Sequence, residues 1–229
     1  MKIAVFGLNV EPGKYKYTCE WFEKLVKKFS PKKTSPYVVE FIGDDYTKAD
    51  VIVFDAGKKL DFVFLDLEKI DSRMAKTADD KEKEFLKKIQ SQLEAENLLC
   101  DQNFTEEEKN FLKNVMPFTY KPCVGRTEVS DMNVLIDEVL KKAGTMLFYT
   151  AGDKEVHAWE LKTGSTILEA AGKIHTDLAR GFIKGEVISC KDLDSFHNFA
   201  EARARGFAKA VDRDHVMEEG SIIEIKFSV

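Results

Sequence analysis

Three short runs dominated by β-branched and aromatic residues punctuate the first quarter of the chain: KIAVFGL at 2–8, YVVEFIG at 37–43 and DVIVFDAG at 50–57. Each is too short for a helix and each closes on a glycine-containing turn or soon after one, so each reads as a strand, the first of them buried. Between the first two runs lies TCEWFEKLVKKF, residues 18–29. Its Trp21, Phe22, Leu25, Val26 and Phe29 fall on one helical stripe. Thr18 is placed to cap its start, and Lys27 and Lys28 suit its C-terminal end. Strands interleaved with an amphipathic helix point to an α/β fold.

Further along, DFVFLDLEKIDSRM (61–74) starts as a strand and turns helical. Residues 79–117 read as a short helical arm. Phe85, Leu86, Ile89 and Leu93 are helically spaced, and a second helix opens with a Thr105–Glu108 capping box and stops at Pro117. VSDMNVLIDEVLKKAG (129–144) is another amphipathic helix with a glycine end. Beyond Gly144 the texture changes. EVHAWELK, IKGEVISC and SIIEIKFSV read as strands, and GSTILEAAGKIHTDLARGF and DSFHNFAEARARGFAKA as helices. This alternation predicts a small α+β domain over 145–229, with a boundary near Gly144.

Composition narrows the function classes. A net charge of -5 argues against a chain-wide basic coat for nucleic acid and leaves room for a local basic face. No stretch approaches the roughly 18 apolar residues of a membrane span, and IAVFGL is too short for a secretion signal, so no membrane partner and a cytoplasmic location are expected. Cys19, Cys100, Cys123 and Cys190 are scattered without a C-x-x-C pair, as in a reduced cytosolic protein. His157, His175, His197 and His215 lack metal-ligand spacing.

Several words of the sequence resemble one family. FYTAGDKEVHAWELKTGSTILEAAGKIHTDLARGFIKGEVISCKDL, with the close EEGSIIEIKFSV, resembles the TGS-type tail of the Obg-like ATPases of the YchF type, from about Thr145 to Val229. DLEKIDSR (66–73), FTEEEKNFLKNVMPFTYKP (104–122) and KIAVFGLNVEPGK at the start resemble upstream segments in collinear order. The resemblance implies a reduced P-loop NTPase-like domain over 1–144 with its arm at 79–117, followed by an α+β TGS-like (β-grasp) domain over 145–229. It also implies ATP or GTP with Mg2+, weakly held or lost. Its implied nucleotide positions are Gly7, Asn9, Gly13 and Lys14, with Asp55 on the metal side.

The departures are specific. A phosphate-binding loop needs Gly, four residues, Gly-Lys and then Ser or Thr. Here five residues separate Gly7 from Gly13-Lys14, Tyr15 replaces the metal-binding hydroxyl, and Pro12 removes a backbone donor. Lys16 or Thr18 could substitute only in another loop geometry. The family's D-x-x-G is FDAG, one residue short, so Asp55 is either a metal-side acid or a plain strand end. The base-reading N-x-x-E becomes Glu128 to Asp131, which carries no adenine preference, and neither Thr34 nor Thr47 is marked as a switch threonine. The C-terminal segment offers His157, Trp159, His175, Arg180 and Lys184 for RNA, a ribosomal site or a protein partner. Arg203, Arg205, Lys209 and Arg213 would either extend a cationic face or line a solvated helix. An active hydrolase using Lys14 and Asp55, and a scaffold binding neither nucleotide nor RNA, stand as alternatives.

Overall fold

The computed structural model describes residues 1–228. The chain forms two compact units, Met1–Tyr15 with Val39–Ala143, and Lys16–Val38 with the chain from Gly144 on.

The first unit is built on a five-stranded sheet of order β2-β4-β1-β5-β6: β1 (Lys2–Phe6), β2 (Gly13–Tyr17), β4 (Tyr37–Phe41), β5 (Val51–Asp55) and β6 (Cys123–Arg126). β4, β1, β5 and β6 run parallel. β1 and β5 are central and buried on both faces, which is why they read as continuous apolar runs rather than alternating ones. Their register sets Phe6 beside Phe54, so their C-terminal ends finish together. β4 lies on one side of β1 and β5 on the other, making the β1/β5 edge the point where strand order reverses.

Helices α2 (Lys59–Met74), α3 (Asp80–Glu94), α4 (Glu106–Val115) and α5 (Met132–Lys142) complete this unit. The strand start expected at 61–65 is instead helical. Phe62, Val63, Asp66 and Ile70 are the buried positions, spaced for one helix face, while Leu60 and Phe64 are exposed. Phe62 stacks on Phe54 at 5.2 Å and joins Ile70, Phe85, Leu86, Ile89, Leu93 and Leu112 in one core. The arm forms where its caps are written: Asp79 accepts the amides of Lys81 and Glu82, and Thr105 and Glu108 close a capping box.

α4 ends on Met116 in the left-handed conformation, φ 49 and ψ 57. A side chain there costs about 1 kcal/mol relative to glycine. Met116→Gly is therefore expected to raise the stability of the chain by up to about 1 kcal/mol, read as a higher urea midpoint at unchanged slope. A drop of similar size would show that the exposed side chain is needed for packing.

In the second unit a six-stranded mixed sheet has the order β10-β9-β11-β7-β8-β3. Its strands are β3 (Lys33–Ser35), β7 (Thr145–Ala151), β8 (Glu155–Lys162), β9 (Phe182–Ser189), β10 (Lys209–Val211) and β11 (Ser221–Phe227). α6 (Ile167–Ile174) closes one face over Met146, Phe148, Leu161 and Ile223. α7 (Thr176–Arg180) follows it directly, so the single helix expected after Gly164 is broken at His175. The helix expected over 194–210 is only α8 (Phe199–Ala204), bracketed by a 3-10 turn and by β10.

The early helix, α1 (Glu20–Phe29), belongs to this second unit and contacts β7 and β8. Its N-cap is Cys19 without a side-chain bond, not Thr18. Cys19 Sγ lies 2.9 Å from the Tyr149 hydroxyl, Lys28 Nζ donates to the Leu193 and Phe196 carbonyls, and Phe29 packs on Phe199. β3 then pairs in parallel with β8, Thr34 opposite Val156. No helix among the described residues is long and apolar enough to cross a membrane.

Candidate functional site

The carboxyl ends of parallel strands at a reversal of strand order form the place where this class of sheet receives ligands. Here that edge is made by Gly7 after β1 and by Asp55 at the end of β5. Asp55 Oδ1 accepts the Gly57 amide at 2.9 Å and so caps the short 3-10 turn Ala56–Lys58 that leads into α2. The turn brings Lys58 back toward the loop, its Nζ 3.4 Å from the Gly7 carbonyl oxygen. Gly7 has φ +75, and a Cβ there would stand 2.9 Å from Lys58 Cδ and 3.1 Å from Asp55 Cβ. The backbone conformation therefore favours glycine, and a side chain there would also displace Lys58. Lys58 is not among the residues expected from sequence. Its only signal there is the GKK of DAGKK at a strand-to-helix turn.

Gly13 and Lys14 open a strand, β2, at the edge of the sheet. Period-two alternation exposes Lys14 and Lys16 and turns Tyr15 and Tyr17 inward. Tyr15 packs edge-on against Phe41 at 5.2 Å and donates its hydroxyl hydrogen to the Glu11 carbonyl. A P-loop lysine depends on a helix that begins directly behind it and aims its N–H groups at phosphate. Behind Lys14 the chain continues as strand, and α1 starts only at Glu20 in the other unit. Asn9 is exposed in the connecting loop.

The remaining positions are occupied otherwise. Asp131 caps α5, accepting the amides of Asn133 and Val134, and Glu128 is exposed after β6. Arg126, ending β6, pairs with Glu138. Thr34 lies in β3, and the Thr47 hydroxyl donates to Asp45. No group of three or more His, Cys, Asp or Glu suited to a metal occurs among the described residues. Asp55 is the acid at this edge, its Oδ1 already taken by Gly57, and no Ser or Thr follows Lys14. Of the groups this edge would offer a Mg2+-bound nucleotide, the Asp55 carboxylate is present and the hydroxyl directly after the lysine is replaced by Tyr15.

The YchF-GTPase_C family, described as a protein of unknown function (DUF933), matches residues 145–228. The ribosome-binding ATPase YchF of Bacillus subtilis (strain 168) is 24% identical over 237 residues, covering 74% of this chain and 65% of the relative. That of Escherichia coli O157:H7 is 34% identical over 102 residues, 44% of this chain and 28% of the relative. The structure of the Schizosaccharomyces pombe YchF GTPase superposes with a TM-score of 0.76 at 14% identity, covering 99% of this chain and 97% of that one. The chain is similar to the YchF-type Obg-like ATPases, with the family match itself lying over residues 145–228. Its alignments span 28% to 65% of the length of these two curated relatives.

The second unit carries the other residues expected from sequence. His157 and Trp159 share one face of β8 with their rings stacked, centroids 3.8 Å apart. Trp159 also stacks on Phe148 and donates Nε1–H to the Thr150 hydroxyl, so its polar group is satisfied within the domain. Burial holds the His157 imidazole below its usual range despite Glu155 at 3.5 Å. His175 Nδ1 accepts the Asp177 amide at the start of α7, and Arg180 pairs with Asp177 at 2.9 Å. Lys184 is exposed on β9 opposite Lys226. Two members of the second cationic group, Arg203 and Arg205, already have acidic partners. Arg203 is held between Glu186 and Glu224, Lys226 pairs with Glu186, and Arg205 pairs with Glu201.

Proposed function

We propose that this chain has kept the nucleotide-binding fold of its family and given up the hydrolysis cycle. It acts in the cytoplasm through its carboxy-terminal, TGS-like domain as a regulatory module that contacts the ribosome or RNA. The observation that carries the first half is the position of Lys14, on the outer face of a strand with no helix start behind it. Asp55 and Asp131, the two acids available for metal and base, both serve as helix caps. The second half is supported by relatives that carry the name ribosome-binding ATPase. It is also supported by Arg180 and Lys184, exposed at the α7–β9 turn beside the exposed Ile183. A protein partner at the same surface is the alternative occupant.

Calorimetric titration of the folded chain with ATP and GTP, with and without Mg2+, is expected to give only heats of dilution. Co-sedimentation with ribosomes is expected to fall steeply with salt and to be lost in an Arg180→Glu, Lys184→Glu double variant. Mg2+-dependent nucleotide binding abolished by Lys14→Ala would reinstate an active, rebuilt loop. The proximity of Lys58 to Gly7 favours a second reading, residual anion binding at the β1/β5 edge. That reading requires binding abolished by Lys58→Ala and unaffected by Lys14→Ala.

A further inference from the structure

Thr47 and Lys121, on the segments that lead into β5 and β6, help line a concavity of about 490 Å3. Leu112, Val115, Met116, Pro117, Phe118 and Tyr120 give it an apolar wall. A second hollow of about 550 Å3 continues from it along α2, sharing Lys69, Val115 and Phe118 and adding Arg73 and Lys76. Together they form a groove between α2 and the end of α4, of a size that holds a large side chain and its neighbours.

Three features show what fits there. Met116 is 71% exposed and sits in a left-handed conformation that glycine would adopt at less cost. A strained, exposed apolar residue at the mouth of an apolar cavity is a stability cost that a bound partner would offset. Second, the groove is cationic in a chain whose net charge is -5. Lys113 donates only to the neutral side chain of Asn110 at 3.0 Å, and Lys76 has no ion-pair partner among the described residues. Lys69 and Lys121 stand in the wall, where burial pushes both ammonium groups below their usual range. Among the described residues, Glu68 is the one acid in the lining. Third, the two rings of the wall already have partners. Lys69 Nζ lies 2.9 Å from the Phe118 ring centroid, and Tyr120 packs edge-on to Phe104. Phe118 also packs on Tyr46 at 5.2 Å, so the wall offers the exposed ring of Tyr120 rather than a run of rings on which successive nucleic-acid bases could stack.

We propose that this groove docks an acidic peptide segment of a partner protein, with a large apolar side chain in the cavity against Met116 and flanking carboxylates facing Lys113 and Lys76. Lys121 contributes field only, because its three N–H bonds go to the carbonyls of Tyr46, Thr47 and Ala49. Lys69 likewise donates to the Met116 carbonyl.

A random dodecapeptide display library selected on the intact chain tests this, with the best peptide then labelled and titrated by fluorescence anisotropy. The expected consensus is one aromatic or long aliphatic residue flanked by Asp or Glu. Met116→Gly, which removes the side chain without harming the fold, is expected to raise Kd about tenfold, and Lys76→Glu with Lys113→Glu by about tenfold more. A denaturation midpoint at or above that of the parent confirms that Met116→Gly is folded. No enrichment, enriched peptides without acids, or unchanged affinity in both variants would each overturn the proposal. Displacement of the peptide by oligouridine at equal concentration would assign the groove to nucleic acid instead. Self-association of the chain lost in Met116→Gly would assign it to a second copy.

Discussion

A fragment comprising residues 145–229 alone is expected not to fold, although the family match covers almost that range. Within the second unit, α1 contributes Phe22 and Leu25, both buried. Each such side chain is worth about 1.5–3 kcal/mol on burial. α1 also brings Trp21, against which Gly220 packs so closely that a Cβ would stand 2.4 Å from its ring. Removing residues 16–38 has effects beyond the helix itself: Lys28 leaves the carbonyls that end the 3-10 turn at Cys190–Ser195, and β3 leaves the edge of β8 unpaired. The sum, about 5 kcal/mol or more, matches the whole stability of an ordinary small domain. The isolated fragment should therefore show poor amide dispersion and no cooperative melt. Fusing residues 16–38 to it through a flexible linker should restore both. A dispersed spectrum from 145–229 alone would mean that α1 and β3 merely rest on a domain complete without them.

What the sequence disclosed depends on the kind of information each element needs. β1 and β5 were readable because burial on both faces leaves an uninterrupted apolar run. The helices at 79–117 were readable because Phe85, Leu86, Ile89 and Leu93 are helically spaced and because Thr105 and Glu108 cap a helix by local chemistry. α1 was recognisable as a helix, and its companion was not. Amphipathic spacing reveals which face is buried and says nothing of what buries it. β2 was hidden for a different reason. GKYKY alternates faithfully, with Tyr15 and Tyr17 turned inward, yet its Gly-Lys invites comparison with a phosphate loop. The site shows the same division. Gly7 and Asp55 follow from the strand ends, whereas Lys58 depends on how tightly the turn after Asp55 closes, a three-dimensional fact.

The largest single side-chain effect in the arm is expected at Glu82. This carboxylate is 3% exposed, in the first turn of α3. It accepts hydrogen bonds from both Nε and Nη2 of Arg73 at 2.9 Å, from the Thr77 hydroxyl, and from the Asn114 amide at 3.2 Å. It thereby ties the end of α2 to α3 and α4 through one group. Arg73, foremost among these donors, holds its pKa down at about 2, against a usual 4.5. Glu82→Gln keeps the shape and removes the charge, leaving the guanidinium bidentate site half-filled. A loss of about 2–3 kcal/mol is expected near neutral pH, toward the lower end of buried-pair losses because Arg73 can rehydrate. The sign of the pH dependence follows from the depressed pKa. The stabilisation is fully present above 4.5, the unfolded value, and is lost as pH falls through the window down to about 2. The gap between parent and variant should therefore be widest near neutrality and close steadily below about pH 4.5, as measured by urea titrations over a pH series. Glu107→Gln, which removes an exposed partner of Lys81, should cost less than about 0.5 kcal/mol at every pH. A Glu82→Gln penalty that does not change with pH would mean that packing, and not the Arg73 pair, makes this position matter.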